Sequence, residues 1–483
     1  MRYVKPGVMV AAALCILLLS LCGCAADPTP SPDESSRPGT SSSTGTGGGG
    51  STATGNEGQS DTGSTASGTV PTAPTPVEQK DFGGREFRYG CSWAPWWSAD
   101  PEGAAAREAF EKQYNCKLTY VPLTSDDDYS TLMTSIMSGN PTVDYFNSTG
   151  NRTLYWIQKG LIAPLSQYQD IHLEDTSVWV NSITDYYTVD GKAYGSWPAS
   201  AATVREVLMY NKSLVNGEDD LYTLQKEGKL TWDKLYEIAR KVSMGGVYGI
   251  TSMQSQTELL DTLVLSNGGS VYSRQGDSLN FTYTYDSDAT RYAMSTLQKW
   301  SSANLILPTI GSNYTYPQQQ FAKGRVAMMV ADNWNISYAY EKAKFKIGIV
   351  LFPAGPNNTS TPYYVNQSCA FADFVCATAK NPADVVFVMN YFGTQQVATQ
   401  DSWEITYGDL LGDDEALESL RTYQRLIFEG KYTVDYKSLL DSGDIYSNNL
   451  WSNENALMMR EMTPQQFLET VGPLYRKIEG ELR

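Results

Sequence analysis

The first part of the chain with a clear hydrophobic pattern is a strand–helix–strand unit. Apolar residues dominate residues 87–92 and again residues 116–121, and each run predicts a buried strand. Between them, Ala106, Ala109 and Phe110 recur at helical spacing and predict a helix with one buried face. A strand, a helix and a second strand in this order form a βαβ unit, in which the strands pair in parallel with a right-handed crossover.

Later segments continue this alternation of strands and helices. Asp190-Gly191 between short apolar runs predicts a tight hairpin turn. Apolar residues at helical spacing follow Thr231 as far as Val242, which predicts a helix with Thr231 as its N-cap. The same periodicities predict helices at residues 129–137 and 385–391, and strands at residues 204–210 and 370–378. This alternation indicates the α/β class.

Residues 321–334 contain the segment with the strongest functional implication. A helix end and a turn at Gly324 precede an apolar strand, residues 326–330, and a polar–aromatic cluster follows at residues 332–334. A strand without polar positions is buried on both faces, and open α/β sheets bind ligands beyond the carboxyl ends of such strands. We therefore expect the cluster to lie at a ligand site.

Residues 1–23 are predicted to be a lipoprotein signal peptide. A basic start is followed by an apolar run of about fourteen residues, which is shorter than a comfortable membrane span. The run ends in Leu21-Cys22-Gly23-Cys24, which resembles the lipobox of bacterial lipoproteins. Cys24 is thus the predicted lipidation site, and two or more acyl chains would anchor it stably. An ordinary signal peptide and an uncleaved anchor helix are the alternatives.

Residues 24–80 are predicted to be the lipidated cysteine and a disordered tether. Residues 25–80 contain no aromatic residue, leucine or isoleucine and are rich in Ser, Thr, Gly and Pro. Such a segment buries too little apolar surface to offset its chain entropy. Its root-mean-square reach is roughly 40 Å. A tether of this length favours the outer face of a Gram-positive membrane over a periplasm.

Composition and charge narrow the classes of function. The net charge of −17 argues against nucleic-acid binding, which depends on neutralising phosphates. His172 is the only histidine, which argues against a histidine triad and excludes multi-histidine metal sites, and no metal or cofactor is expected. The chain has 32 Tyr and 11 Trp, which is more aromatic surface than a core requires.

Residues 321–334 also resemble a recurrent segment of bacterial extracellular solute-binding proteins of the carbohydrate-uptake type, family 1. The shared features are a Phe, a turn with Gly and a basic residue, an Ala-Met strand and a terminal Trp. Further segments of that family are similar to residues 161–165, 189–198 and 231–242. Residues 143–147 resemble its third strand, and residues 346–353 resemble the segment that leads to its second crossover. The resemblance runs in the same order over roughly residues 84–400, and the last eighty residues match less well.

The resemblance implies an α/β fold of the two-lobed periplasmic-binding-protein type, with a ligand cleft between lobes joined by several crossovers. The implied lobe boundaries are residues 84–195 and 326–366 for the first lobe, and residues 196–325 and 367–483 for the second. The implied function is a substrate-binding lipoprotein of an ABC importer that captures a carbohydrate, expected to be an oligosaccharide, by hinge closure. We expect a monomer without catalytic activity that delivers its ligand to permease subunits. A secreted carbohydrate-active enzyme and a surface adhesin or sensor subunit of the same fold are the alternatives.

The candidate ligand contacts are tryptophans and polar residues near predicted strand ends. Aromatic rings pack on the C–H faces of sugars, whose hydroxyls need polar partners. The candidates are Trp93, Trp96, Trp97, Asp144, Asn147, Trp197, Asp332, Asn333, Trp334 and Trp403. The alternative for the first three is that two of them pack beneath the loop after the first strand. The alternative for the polar residues is a helix N-cap or an Asx turn. Arg205 and Glu206 fit a ligand contact and a salt bridge between the lobes equally well.

Three other features suggest no further site. The acidic run at residues 126–128 lacks the spaced ligands and the glycine of a calcium loop, which favours a solvated turn. The many carboxylates include no local signature that selects a pair for glycoside hydrolysis. We expect buried free thiols at Cys91, Cys116, Cys369 and Cys376, and the last two would point to opposite faces of one strand.

Overall fold

The computed structural model describes nine segments: residues 80–148, 150–168, 171–199, 204–252, 256–308, 315–366, 371–399, 403–437 and 450–482. Residues Asp81–Arg483 belong to one compact unit. The predicted signal peptide, Cys24 and the tether up to residue 79 lie outside the described residues. Across these nine segments, no helix has both the length and the apolar character needed to span a bilayer.

Strands and helices alternate along the described chain. The strands are β1 (Arg85–Cys91), β2 (Cys116–Pro122), β3 (Tyr145–Ser148), β4 (Ile162–Ala163), β5 (Thr188–Val189), β6 (Lys192–Ala193), β7 (Gly195–Ser196), β8 (Val207–Asn211), β9 (Tyr248–Ser252), β10 (Tyr272–Arg274), β11 (Phe281–Tyr283), β12 (Val326–Ala331), β13 (Ile347–Val350), β14 (Phe352–Pro353), β15 (Tyr363–Tyr364) and β16 (Ala372–Cys376). The helices are α1 (Trp96–Ala99), α2 (Pro101–Tyr114), α3 (Asp126–Met137), α4 (Gly150–Gln158), α5 (Asn181–Tyr186), α6 (Leu221–Lys226), α7 (Trp232–Ser243), α8 (Gln256–Ser266), α9 (Asp288–Ser302), α10 (Tyr316–Ala322), α11 (Asn333–Lys342), α12 (Pro382–Thr399), α13 (Trp403–Leu411), α14 (Asp414–Phe428), α15 (Leu450–Met458) and α16 (Pro464–Leu482).

The first lobe is built on a six-stranded sheet. Its strand order is β2–β1–β3–β16–β4, and β7 also pairs with β16. The predicted βαβ unit is confirmed, because β1 and β2 pair in parallel with Arg85 opposite Cys116. Strand β16 runs antiparallel to β3 and β7, so its amino end lies at the edge where those two strands end.

The second lobe is built on a four-stranded sheet with the order β13–β8–β12–β9. Strand β12 is parallel to β9 and antiparallel to β8. All six residues of β12 are buried, as the apolar run at residues 326–330 predicts. Val207 and Met209 of β8 face the core on one side of the sheet, and Leu208 and Tyr210 face the core on the other. This sheet is therefore covered on both faces.

The lobe boundaries implied by the family resemblance are wrong in two places. Residues 326–350 were assigned to the first lobe, but β12 and β13 pair with β8 in the sheet of the second lobe. Residues 372–376 were assigned to the second lobe, but β16 pairs with β3 in the sheet of the first. The physical reason is that an apolar strand buried on both faces fits either sheet. Its sequence contains no information on which neighbour it pairs with.

The described elements place three connections between the lobes, and residues 200–203, 367–370 and 400–402 of these connections lie outside the described segments. The first crossover, residues 197–206, leads from β7 to β8, and the second, residues 351–371, leads from β13 to β16. Helix α12 packs on β16 and α14 packs on β13, so a third passage lies between α12 and α13. These crossovers join the lobes of the two-lobed α/β fold.

Local sequence signals fix the elements as predicted. The Thr231 side chain accepts a hydrogen bond from the Lys234 amide and caps α7. Asp190 and Gly191 have φ angles of 48° and 74°, which suit a tight hairpin turn between β5 and β6. Gly324 has a φ of 72° and ends α10 before β12 begins.

Candidate functional site

Three aromatic side chains meet at the edge of the first sheet where β1 and β7 end. The rings of Trp93 and Phe371 are 4.7 Å apart and perpendicular, and the rings of Phe371 and Trp197 are 6.5 Å apart. Trp93 follows β1, Trp197 follows β7, and Phe371 immediately precedes β16. We call these residues the aromatic trio. All three side chains are partly exposed, so they offer ring surface to a ligand.

The other two tryptophans of the first loop support the core. Trp97 is buried, and its ring lies 6.0 Å from that of Tyr89 and 6.0 Å from that of Phe392. Trp96 packs so closely on Gly103 of α2 that a Cβ atom there would lie 2.3 Å from the indole ring. This arrangement is the alternative that the sequence allowed, in which two of the three tryptophans pack beneath the loop.

Asn147 is part of a buried polar network below the aromatic trio. Its Nδ2 donates to Asp373 Oδ1 at 2.9 Å and to the Ala372 carbonyl oxygen at 3.2 Å. The Tyr89 hydroxyl donates to the same Asp373 oxygen at 2.8 Å. Burial raises the pKa of the Asp373 carboxyl to about 6, and these two hydrogen bonds oppose the increase. The Asn147 amide nitrogen is thus engaged within the protein and links β3 to β16.

Asp144 lies at the opposite end of β3 from the aromatic trio. It precedes the strand and interacts with two arginines, with Arg85 Nη2 at 3.5 Å from Oδ1 and Arg88 Nε at 3.5 Å from Oδ2. Its Oδ2 also accepts a hydrogen bond from the Arg88 amide at 2.8 Å. Asp144 was expected to contact ligand, but its carboxylate is engaged by the two arginines at the amino end of β3, which begins at Tyr145.

Asp332 at the edge of the second sheet fixes the first crossover. It is 2% exposed, and its Oδ1 accepts a hydrogen bond from the Glu206 amide at 3.0 Å. Its Oδ2 lies 3.3 Å from Arg205 Nη2. Burial raises the pKa of the Asp332 carboxyl, and the nearby Arg205 guanidinium partly offsets this effect. Asp332 and the side chain of Asn335 also form the capping box that begins α11.

Asn333 and Trp334 lie at the same edge of the second sheet and could contact a ligand. Both side chains are partly exposed in the first turn of α11. Trp334 Nε1 is shielded and has no hydrogen-bond acceptor within the part of the chain that the structure describes. A shielded indole N–H without an acceptor is a donor that a ligand hydroxyl could satisfy.

The first crossover connects the two candidate surfaces directly. It leaves the first sheet at Trp197 and enters the second beside Ala331, which pairs with Val207. The first crossover therefore leads from Trp197 of the aromatic trio to the start of β8, which pairs with the carboxyl end of β12. Ligand sites are common between lobes joined in this way.

Several other residues singled out in the sequence add no ligand contact to this site. The side chain of Trp403, at the start of α13, lies outside the described residues, as does Cys369. Cys91, Cys116 and Cys376 are free thiols, and Cys116 is only partly buried. The acidic run at residues 126–128 forms the first turn of α3 and contributes to its cap, since Asp128 Oδ2 accepts from the Ser125 amide at 2.9 Å. Within the described segments, no group of three or more His, Cys, Asp or Glu side chains could hold a metal ion.

Phe371 and Asp373 are the two residues of this site that sequence reasoning missed. Both belong to an apolar strand pattern that predicts burial. No nearby sequence signal indicates that the amino end of this strand lies at a ligand site. A single Asp within an otherwise apolar strand is the only signal that could have indicated Asp373.

The fold and the site define a two-lobed α/β binding protein. The family model described as bacterial extracellular solute-binding protein matches residues 105–409, and the chain belongs to that family. A search of curated proteins finds no match.

Solved structures of similar fold cover most of this chain. A cyclo/maltodextrin-binding protein in complex with maltotetraose is 16% identical with a TM-score of 0.60, covering 82% of this chain and 96% of its own. The GacH receptor of Streptomyces glaucescens, solved unliganded and with acarbose, is 16% identical with a TM-score of 0.59, covering 83% and 100%. UgpB from Mycobacterium tuberculosis, in complex with glycerophosphocholine, is 15% identical with a TM-score of 0.57, covering 82% and 99%. At these identities the similarity establishes the fold.

Proposed function

We propose that this protein is an extracellular substrate-binding lipoprotein of an ABC importer that captures an oligosaccharide and delivers it to permease subunits. The observation that best supports this proposal is the aromatic trio, which presents three partly exposed rings at the carboxyl edge of the first sheet. Sugars expose C–H faces that pack on aromatic rings. The maltotetraose and acarbose complexes of proteins with this fold are consistent with such a ligand.

Binding would bridge the two lobes. The aromatic trio would contact sugar rings from the first lobe, while Asn333 and Trp334 would supply polar contacts from the second. A ligand that contacts both lobes binds the closed arrangement more tightly than the open one and shifts the population toward it. Binding therefore needs no catalytic group, and we propose that the protein is not an enzyme.

Anchoring would follow from the amino terminus. Acylated Cys24 would hold the protein at the outer face of a Gram-positive membrane, and residues 25–80 would act as the tether. We further propose that the protein is a monomer, since one chain contains both surfaces of the site.

A thermal-shift screen of the full-length protein tests the ligand class. The panel contains maltotetraose, other oligosaccharides, monosaccharides, short peptides and glycerophosphocholine. A ligand that binds only the folded protein, at about 100 times its dissociation constant, adds about 2.7 kcal/mol to the free energy of unfolding. We expect the melting temperature to rise with one family of oligosaccharides, and chromatography of the same samples to show no hydrolysis products.

The other outcomes separate the alternatives. A rise with glycerophosphocholine alone would replace the sugar by a choline ester, whose ammonium group also binds aromatic rings. Consumption of a glycan would make the protein an enzyme. Delivery is tested independently, because deletion of this gene should abolish cellular uptake of the identified ligand if an importer depends on it. Unchanged uptake would favour an adhesin or a sensor subunit.

A further inference from the structure

Glu206, Asn366 and Tyr423 join the two crossovers at one point. Asn366 Nδ2 donates to Glu206 Oε1 at 2.8 Å and links the second crossover to the first. The Tyr423 hydroxyl, from α14, donates to the Asn366 carbonyl oxygen at 2.7 Å. The same hydroxyl accepts a hydrogen bond from the Arg205 amide at 3.2 Å. We call Glu206, Asn366 and Tyr423 the hinge junction, because any rotation of the lobes changes the geometry of the crossovers that it joins.

The backbone of Glu206 has an unusual conformation. Its φ is 53°, in the left-handed region that residues with a side chain rarely adopt. Backbone strain of this kind persists only where the surroundings hold it in place, and it is concentrated at switch regions and ligand sites. A glycine would adopt this φ without strain, so the strain at this position comes from the presence of a side chain.

The Glu206 carboxyl is buried among polar groups with little positive charge. It is 7% exposed, and its polar partners, the Asn366 amide and the Tyr364 hydroxyl, are neutral. The nearby Arg205 guanidinium is paired with a second buried carboxylate, Asp332. The titratable groups that face Glu206 are Arg205, Asp332, Tyr364 and Tyr423, and Asp435 in turn faces Tyr364.

These surroundings make the charge of Glu206 sensitive to pH near neutrality. Burial raises the pKa of the Glu206 carboxyl from 4.5 to about 7. The Asp332 carboxylate raises this pKa further, and Tyr364, Arg205 and the Asn366 amide lower it. A neutral carboxyl is compatible with a dry junction, whereas an ionised one beside Asp332 is stabilised by water and by separation of the two carboxylates.

We propose that Glu206 is a pH-sensitive residue of the hinge. Its ionisation shifts the balance between the lobe arrangement described above and one in which the hinge junction is hydrated. This inference rests on the proposed function, since the lobe balance sets the apparent affinity of the ligand site. Acid conditions keep the Glu206 carboxyl neutral and favour the present arrangement, and alkaline conditions favour the hydrated one. If hydration restores the ordinary pKa of 4.5, the balance changes by at most about 300-fold between acid and alkaline pH.

The distance between the lobes in the full-length protein tests this proposal without any ligand. Met137 on α3 and Met244 at the end of α7 are both strongly exposed and lie in different lobes, so donor and acceptor dyes attached there through bioorthogonal side chains report that distance. We expect the energy transfer of the otherwise unmodified chain to follow one titration with a midpoint between pH 4.5 and about 7, because the balance changes only between the pKa values of the two arrangements. A flat profile from pH 4 to 9 overturns the proposal.

Variants identify the titrating group. Glu206→Gln keeps a neutral polar side chain and should make the profile flat. Asn366→Ala removes a donor that stabilises the ionised carboxylate, so it should move the midpoint to higher pH, and it serves if Glu206→Gln does not fold. His172→Gln at an exposed site is the control that should leave the midpoint unchanged. A transition that persists in Glu206→Gln or disappears in His172→Gln contradicts the proposal.

The hinge and the ligand proposals fail separately. A flat energy-transfer profile contradicts the pH-dependent role of Glu206 and leaves the ligand screen unaffected. An absence of any thermal shift with glycans removes the sugar ligand and leaves the titration of the lobe distance intact.

Discussion

Arg274 Nη1 donates a hydrogen bond of 3.1 Å to the carbonyl oxygen of Tyr186, and this bond connects the two lobes. Arg274 lies in β10 of the second lobe, and Tyr186 ends α5, next to Tyr187, whose ring packs on Phe374 of the first sheet. The same guanidinium donates to the Thr188 carbonyl oxygen at 2.5 Å. The hairpin of β10 and β11 is thus attached to the first lobe at a point away from the two crossovers.

We expect Arg274→Ala to destabilise the protein and to loosen this attachment. A charged donor that is removed from buried carbonyl oxygens costs about 2–3 kcal/mol, because those acceptors lose their partner. Equilibrium unfolding in urea measures the change. Arg476→Ala is the matched control, because Arg476 pairs with Asp286 at an exposed position and should cost less than about 1 kcal/mol. Equal losses in the free energy of unfolding would show that the Arg274 contact between the lobes contributes no more to stability than an exposed ion pair does.

Trp93 and Trp97 provide a direct test of the ligand surface. Trp93→Ala removes a partly exposed ring of the aromatic trio, so ligand affinity should fall about 30-fold, a loss of about 2 kcal/mol, with little change in stability. Calorimetric titration with the oligosaccharide identified in the thermal screen measures this loss.

The buried tryptophan should behave in the opposite way. Trp97 is 3% exposed, so Trp97→Ala should cost about 3–5 kcal/mol of folding free energy. Undiminished affinity in Trp93→Ala would exclude the aromatic trio from the ligand site and would contradict the proposed mode of sugar binding.

Most elements of the fold could be predicted from local sequence, because local physics determines them. The N-cap at Thr231 and the turn at Gly324 depend on residues within a few positions of each other. The sheet to which β12 belongs could not be predicted, because its pairing with β8 depends on residues more than 100 positions away. The family resemblance supplied the order of the elements and still placed this strand in the wrong lobe.

The site was only partly predictable for the same reason. Trp93 and Trp197 are conspicuous because they follow strands, but Phe371 comes between them only through the antiparallel pairing of β16 with β7. Asp332 was expected to contact ligand, whereas its carboxylate is held by Arg205 and the Glu206 amide. Sequence indicates that a polar group lies at a strand end, and the tertiary partners decide whether it is free to bind.

The buried ion cluster of the second lobe leads to a prediction about stability. Lys437 Nζ lies 3.1 Å from both carboxylate oxygens of Asp261 on α8 and 3.1 Å from Glu454 Oε1 on α15. Burial alone would lower the pKa of Lys437, but the two carboxylates outweigh it and raise the pKa well above its usual value. The lysine therefore stays charged and holds the carboxyl-terminal helices to α8.

Lys437→Met should cost about 3–5 kcal/mol, because it leaves the buried Glu454 and the partly buried Asp261 without a cation. Lys431→Met is the matched control, since Lys431 pairs with Glu429 at the surface and should cost less than about 1 kcal/mol. Urea unfolding of both variants measures the difference. A small effect at Lys437 would mean that water reaches the cluster and replaces the lysine.

Asp373 should make the stability of the protein depend on pH in a defined direction. The pKa of its carboxyl is about 6 in the folded chain and has its ordinary value of 3.8 in the unfolded one. Between these values the folded state keeps a proton that the unfolded state has lost, so rising pH favours unfolding across this window. The stabilisation is fully present below pH 3.8, is lost as the pH rises to about 6, and amounts to at most about 3 kcal/mol.

Asp373→Asn isolates this effect, because asparagine stays neutral and can still accept hydrogen bonds from Tyr89 and Asn147. Relative to the original chain, the variant should gain stability as the pH rises from 4 to 7 and show no further gain above that. Urea unfolding at a series of pH values measures the difference between the two proteins. Asp233→Asn, at a strongly exposed position, should instead give a nearly constant difference. Parallel profiles for Asp373→Asn and the original chain would show that the carboxyl titrates as it does in the unfolded chain, and that the network below the aromatic trio is open to water.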